Sequence, residues 1–114
     1  MARQKRPKEL SGVTVKRKCV CGNLYVTYNK DKDGKIIEVL PRIGKTGVCA
    51  NNTVDAICEF ISLLLQHGES AESIILRLKS RHCKDANIEI PSCTQVIALE
   101  WESLSKTLPC HPRG

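Results

Sequence analysis

Cys19, Cys21, Cys49, Cys58, Cys83, Cys93 and Cys110 are the side chains of this 114-residue sequence best suited to chemistry, as soft metal ligands or as partners in disulfide exchange. Which chemistry applies depends on the compartment. The first residues contain no apolar run of the kind that directs secretion, so a reducing cytoplasm is expected, and with it metal-bound thiolates in place of a disulfide framework. The odd number of cysteines agrees, since paired disulfides leave one thiol over.

Spacing alone leaves two readings open. Cys21, Cys49, Cys83 and Cys93 are separated by 28, 34 and 10 positions and include no C-x-x-C knuckle, so they suit either one shared tetrahedral site or separate buried thiols. Cys19-Val20-Cys21 has the form of a redox pair, but it is C-x-C, in a strand-like stretch instead of ahead of a helix. Gly44-Lys45-Thr46 lacks the upstream glycine and four-residue spacer of a phosphate-binding loop and is excluded as one. A weaker anion site remains. Arg42, Lys45, Asn51, Asn52 and Arg81 surround an expected helix N-terminus, where the helix dipole favours a phosphate such as that of a nucleotide; the plainer reading is solvated cations and capping asparagines. His67 suits a helix C-terminus, His82 is a ligand only if it displaces Cys83, and Cys19 and the Cys110-His111 pair are undecided candidates for extra ligands, the pair in a terminal tail.

The elements that position these residues follow from periodicity. Residues 1–11 read as a basic arm, residues 12–108 as one domain and residues 109–114 as a tail. Val13 and Val15, then Leu24 to Tyr28, alternate as half-buried strands do, and Asp33-Gly34 supplies a hairpin turn before Ile36, Ile37, Val39, Leu40 and Ile43. Pro41 places this third strand at an edge or a bulge. Val54, Ile57, Cys58, Ile61, Leu64 and Leu65 then fall on one helical stripe, which assigns Cys58 to the core. Asn52 with Asp55 resembles a capping box for that helix, and Gly68 a stop. Ser70 can cap a second helix carrying Ile74, Ile75 and Leu78, and Ser92 with Gln95 opens a third carrying Ile97, Trp101, Leu104 and Leu108, ended by Pro109. The expected fold class is α+β, a three-stranded antiparallel meander covered by three helices. Cys21, Cys49, Cys83 and Cys93 then stand at or near element ends, where distant segments can converge; helix N-termini also favour the thiolates of Cys49 and Cys93.

A net charge of +6 favours acidic partners, nucleotide or nucleic acid, although Arg3, Lys5, Arg6 and Lys8 place much of it in the arm. Only Phe60, Trp101, Tyr25 and Tyr28 are aromatic, so no row of rings for stacked bases is expected. The longest apolar candidate, Phe60 to Leu65, is six residues, well short of the roughly 18 of a membrane span.

Cys21-Gly-Asn-Leu-Tyr-Val-Thr27, Gly44-Lys-Thr-Gly-Val-Cys49, Ser80-Arg-His-Cys83 and Pro91-Ser-Cys93 occur in this order, after Arg6-Pro7-Lys8. Together they resemble the TSCPD domain, over about residues 6 to 104. That domain is best known at the C-terminal end of adenosylcobalamin-dependent (class II) ribonucleotide reductases, and free-standing bacterial or phage-borne forms exist. The resemblance implies a cysteine metal site at Cys21, Cys49, Cys83 and Cys93, with zinc first and an iron–sulfur cluster second. It also implies a non-catalytic binding or regulatory module, with a nucleotide, a protein or a second copy as partner. The alternative it implies is an auxiliary part of a ribonucleoside-diphosphate reductase, or a small thiol redox protein. A reductase of this class also needs a cobalamin-binding barrel and a radical-bearing cysteine, for which this chain has no room. The sequence departs from the name-giving motif: Pro91-Ser92-Cys93-Thr94-Gln95 lacks the proline and acid that ordinarily follow the cysteine, and with them an outer partner for the site.

Overall fold

Alternating residues of the N-terminal half form three strands in the computed structural model, which describes residues 7–20, 22–44, 48–81 and 86–106, with the side chains of 48–50 and 105–106 left aside. Strands β1 (Ser11–Cys19), β2 (Gly22–Lys30) and β3 (Ile36–Gly44) make an antiparallel sheet in the order β1-β2-β3. The β2–β3 turn is held by Asp31, whose carboxylate accepts from the backbone N–H of Asp33 and Lys35 at 2.9 and 3.0 Å. Gly34 takes the positive φ of 83° that the turn requires. Leu24, Val26, Tyr28, Val39 and Ile43 point to one face and are buried. The opposite rungs expose Thr14, Lys16, Lys18, Leu40 and Arg42.

Three helices follow: α1 (Val48–Gln66), α2 (Ala71–Lys79) and α3 (Cys93–Lys106). The expected architecture is therefore present, with one correction at the first helix. It starts four residues ahead of Asn52, so Asn52 and Asp55 are interior positions and form no capping box. Its C-terminus is built as expected: Gly68 has φ 99°, Glu69 N–H donates to Leu64 O (2.9 Å) and Gly68 N–H to Leu65 O (3.0 Å), which satisfies the last carbonyls. Ser70 caps α2 through the N–H of Ser73, and Gln95 Oε1 accepts from the N–H of Ser92 at the head of α3. Leu64, expected on the buried stripe, is 46 % exposed because it lies about 80° around the helix from Val54, at the flank of the stripe.

The core joins the covered face of the sheet to all three helices, with Trp101 and Tyr28 as its largest members. The Tyr28 hydroxyl donates to Ile97 O at 2.6 Å, and its ring packs 6.1 Å from that of Trp101. Burial, with Glu100 and Cys58 adding, keeps this phenol neutral far above its ordinary range.

Helix α1 also closes the outer edge of the sheet. Asn51 accepts from Ile43 N–H and donates to Ile43 O, Ser62 Oγ accepts from Val39 N–H, and Gln66 Nε2 donates to Ile37 O, all at 3.0–3.1 Å. The fifteen helical steps from Asn51 to Gln66 span about 22 Å and the six strand steps from Ile43 to Ile37 about 20 Å, so the two elements stay matched along their length. The one alternate edge position without such a partner is Pro41, which has no N–H to satisfy. An edge that would otherwise recruit another strand is thus occupied by side chains.

Candidate functional site

Two buried thiols meet where β1 ends and α3 begins. Cys19 is the last residue of β1 and Cys93 the first of α3; both are buried, and their Sγ atoms lie 3.0 Å apart. That is well inside ordinary sulfur contact and well beyond the ~2.05 Å of a disulfide bond. One further contact holds these segments together and another ties α3 to the end of α2. Val20 N–H donates to Pro91 O at 3.0 Å, and Thr94 Oγ1 donates to Arg81 O at 3.2 Å. The Arg17–Glu100 ion pair at 2.9 Å, about a third to a quarter exposed, ties the same strand to the same helix about two turns on.

Of the four expected ligands, only Cys93 has a described side chain. Cys21 and Cys83 fall outside the described residues, as does the side chain of Cys49, whose backbone is in the first turn of α1. Their described neighbours nevertheless share one end of the molecule. Val20 and Arg81 bond to Pro91 and Thr94 on either side of Cys93, Gly22 pairs with Cys19, and Asn23 pairs with Gly44 at the end of β3. Cys19, undecided on sequence grounds, is the residue brought onto Cys93. The only sequence signal for it was its place at the end of an alternating stretch, two positions from Cys21. Among the described residues no three metal-binding side chains are grouped together.

Cys58 is separate from this end. It is fully buried on the inner stripe of α1, and desolvation, with the Asp55 carboxylate adding, pushes its thiol up to about 12. Such a thiol is neutral and a poor nucleophile. His82, Cys110 and His111 lie outside the described residues, and His67 follows the last turn of α1.

The described residues of the expected anion set lie on different elements. Arg42 is exposed on the sheet face turned away from the helices, Asn51 is committed to the backbone of Ile43, Asn52 is an exposed interior residue of α1, Arg81 follows α2, and Lys45 is outside the described residues. Arg42 points away through strand alternation: Ile43 faces the core, so its neighbour must face the other way.

No helix among the described residues is long and apolar enough to cross a membrane. No curated protein and no solved structure matches the chain. The family model of the TSCPD domain matches residues 2–102, nearly the whole sequence, and the protein belongs to the TSCPD domain family.

Proposed function

We propose that this protein is a non-catalytic binding module whose fold is tied at one end by a thiolate-bound metal ion, zinc before an iron–sulfur cluster. The observation that carries the reading is the 3.0 Å approach of Cys19 and Cys93, which are 74 positions apart in sequence and meet in the core. Buried thiols drawn from separate elements are the donor set that a thiophilic cation requires. Two sulfurs on one tetrahedral zinc stand about 3.7 Å apart, so this pair accommodates it by parting less than about 1 Å. Cys93 with Cys21, Cys49 and Cys83 would hold the metal, and Cys19 is placed to join or replace one of them. The metal would supply cross-linking, and zinc would do so without redox chemistry. The partner is anionic, on the strength of the net charge of +6.

Metal analysis of protein purified anaerobically without chelator tests the module. One zinc per chain is expected, lost in Cys93→Ser; the absence of stoichiometric metal sinks the reading.

The same contact favours a second reading, a dithiol that cycles to a disulfide. Cys19 and Cys93 would each lose a proton and together two electrons to a small-molecule disulfide, which leaves as two thiols. Oxidised glutathione should then remove two titratable thiols from the metal-depleted protein, and Cys19→Ser should abolish that loss.

A further inference from the structure

The face of the sheet turned away from the helices is organised in four rungs. Strand pairing aligns Gly12, Asn29 and Glu38; then Thr14, Thr27 and Leu40; then Lys16, Tyr25 and Arg42; then Lys18, Asn23 and Gly44. The single aromatic ring of this face therefore lies between two cations in register, with a third cation, Lys18, on the next rung. Lys16 Nζ is 5.7 Å from the centre of the Tyr25 ring. Thr14, Tyr25, Thr27, Leu40, Pro41 and Arg42 line a shallow concavity of about 740 Å³ beside it.

Among the described residues no carboxylate forms an ion pair with Lys16, Lys18 or Arg42. The one acid of this face, Glu38, sits at the far end, 9 % exposed, and accepts from Asn29 Nδ2 at 2.8 Å. Gly12 makes room for that arrangement, because a side chain there would collide with Asn29. The chain's own termini do not match the face either: residues 1–6 and 107–114 contain Arg3, Lys5, Arg6 and Arg113 and no acidic side chain.

A flat antiparallel face that presents a ring flanked by cations has the chemistry of a single-strand binder. A base can stack on the ring whatever its identity, while the cations neutralise phosphates on both sides of it. Lys16 and Lys18 are two strand positions apart, about 6.7 Å, and Lys16 and Arg42 lie across two strand spacings, about 9.6 Å, so a backbone crossing Tyr25 meets a cation before and after the stacked base. A duplex hides its bases and cannot use the ring. We propose that the open sheet face binds single-stranded nucleic acid, with one base stacked on Tyr25 and its flanking phosphates on Lys16, Lys18 and Arg42. The proposal supplies the partner of the binding module and rests on that reading, though not on the metal.

Fluorescence anisotropy of the full chain, as purified, against labelled single-stranded oligo-dT and a duplex of equal length is the test. The single strand should bind more tightly, with a slope of about −2 in log K against log salt, as three phosphate contacts require. Tyr25→Ala should weaken binding about 5- to 100-fold and Tyr25→Phe should keep it. Lys16→Ala should reduce the salt slope by about 0.7. Both positions face outward from the sheet, Lys16 exposed and Tyr25 half-buried, so unchanged melting temperatures confirm that the variants are folded. Equal affinity for the duplex, affinity within twofold in Tyr25→Ala, or competition by poly-glutamate or by a mononucleotide as strong as by oligo-dT would each overturn the proposal. If metal content and fold are intact when that happens, the module stands and only its partner is lost.

Discussion

The two flanks of the sheet are secured by opposite means. Along β3, Asn51, Ser62 and Gln66 of α1 reach the backbone of Ile43, Val39 and Ile37 with hydrogen bonds of ordinary length. At the end of β1, beside one backbone bond from Val20 to Pro91, the buried cross-link is a contact of two sulfurs, Cys19 and Cys93. The first flank is held by four ordinary hydrogen bonds, each of which adds about 1 kcal/mol. A thiol is a weak donor and a weak acceptor, so the second flank becomes a strong tie only when a metal or a covalent bond joins the sulfurs.

The sharpest way to break this contrast is to strip the metal proposed above. Exhaustive chelation, or Cys93→Ser, should cost at least about 3 kcal/mol, read as a fall of roughly 10 °C or more in the calorimetric midpoint. A fall of only a degree or two would make the thiol end ordinary core. On the other flank, Ser62→Ala leaves the Val39 N–H unpaired in a buried edge and should cost about 1–3 kcal/mol in urea unfolding, with or without chelator. Dependence of that cost on metal would show that the two flanks are one unit.

Alkaline pH sharpens the comparison from within α1. The Cys58 thiol ordinarily ionises near 9.0 and is held up to about 12 in the fold. The folded state therefore keeps a proton that the unfolded chain releases. Stability is intact below pH 9 and declines as pH rises toward 12, by about 1.4 kcal/mol at pH 10. Urea titrations at pH 7 and pH 10 should show this difference, and Cys58→Ala should remove most of it. Smallest of all, Lys79→Ala should change stability by no more than about 0.5 kcal/mol. Its ion pair with Glu102 at 3.1 Å joins α2 to α3, but both side chains are more than a third exposed.

The elements were legible because their signals are local. Asp31 to Gly34 contains its own turn, Ser70 and Gln95 sit at the helix starts they help to satisfy, and Gly68 closes α1 as its position implied. The start of α1 was misplaced for the same reason. Asn52 and Asp55 have the spacing of a cap, while the contact that positions this end of the helix, Asn51 to Ile43, crosses to another element.

What the sequence determined unaided was the succession of strands and helices and the assignment of Cys58 to the core, since periods of 2 and 3.6 residues and cap chemistry are properties of short stretches. Tertiary structure alone decided that Cys19 meets Cys93 across 74 positions, that the polar residues of α1 close the edge of β3, and that Lys16, Tyr25 and Arg42 share one rung. Those outcomes depend on strand register and on how helices seat against a sheet. Many weak contacts set both jointly, and no single stretch of sequence encodes either.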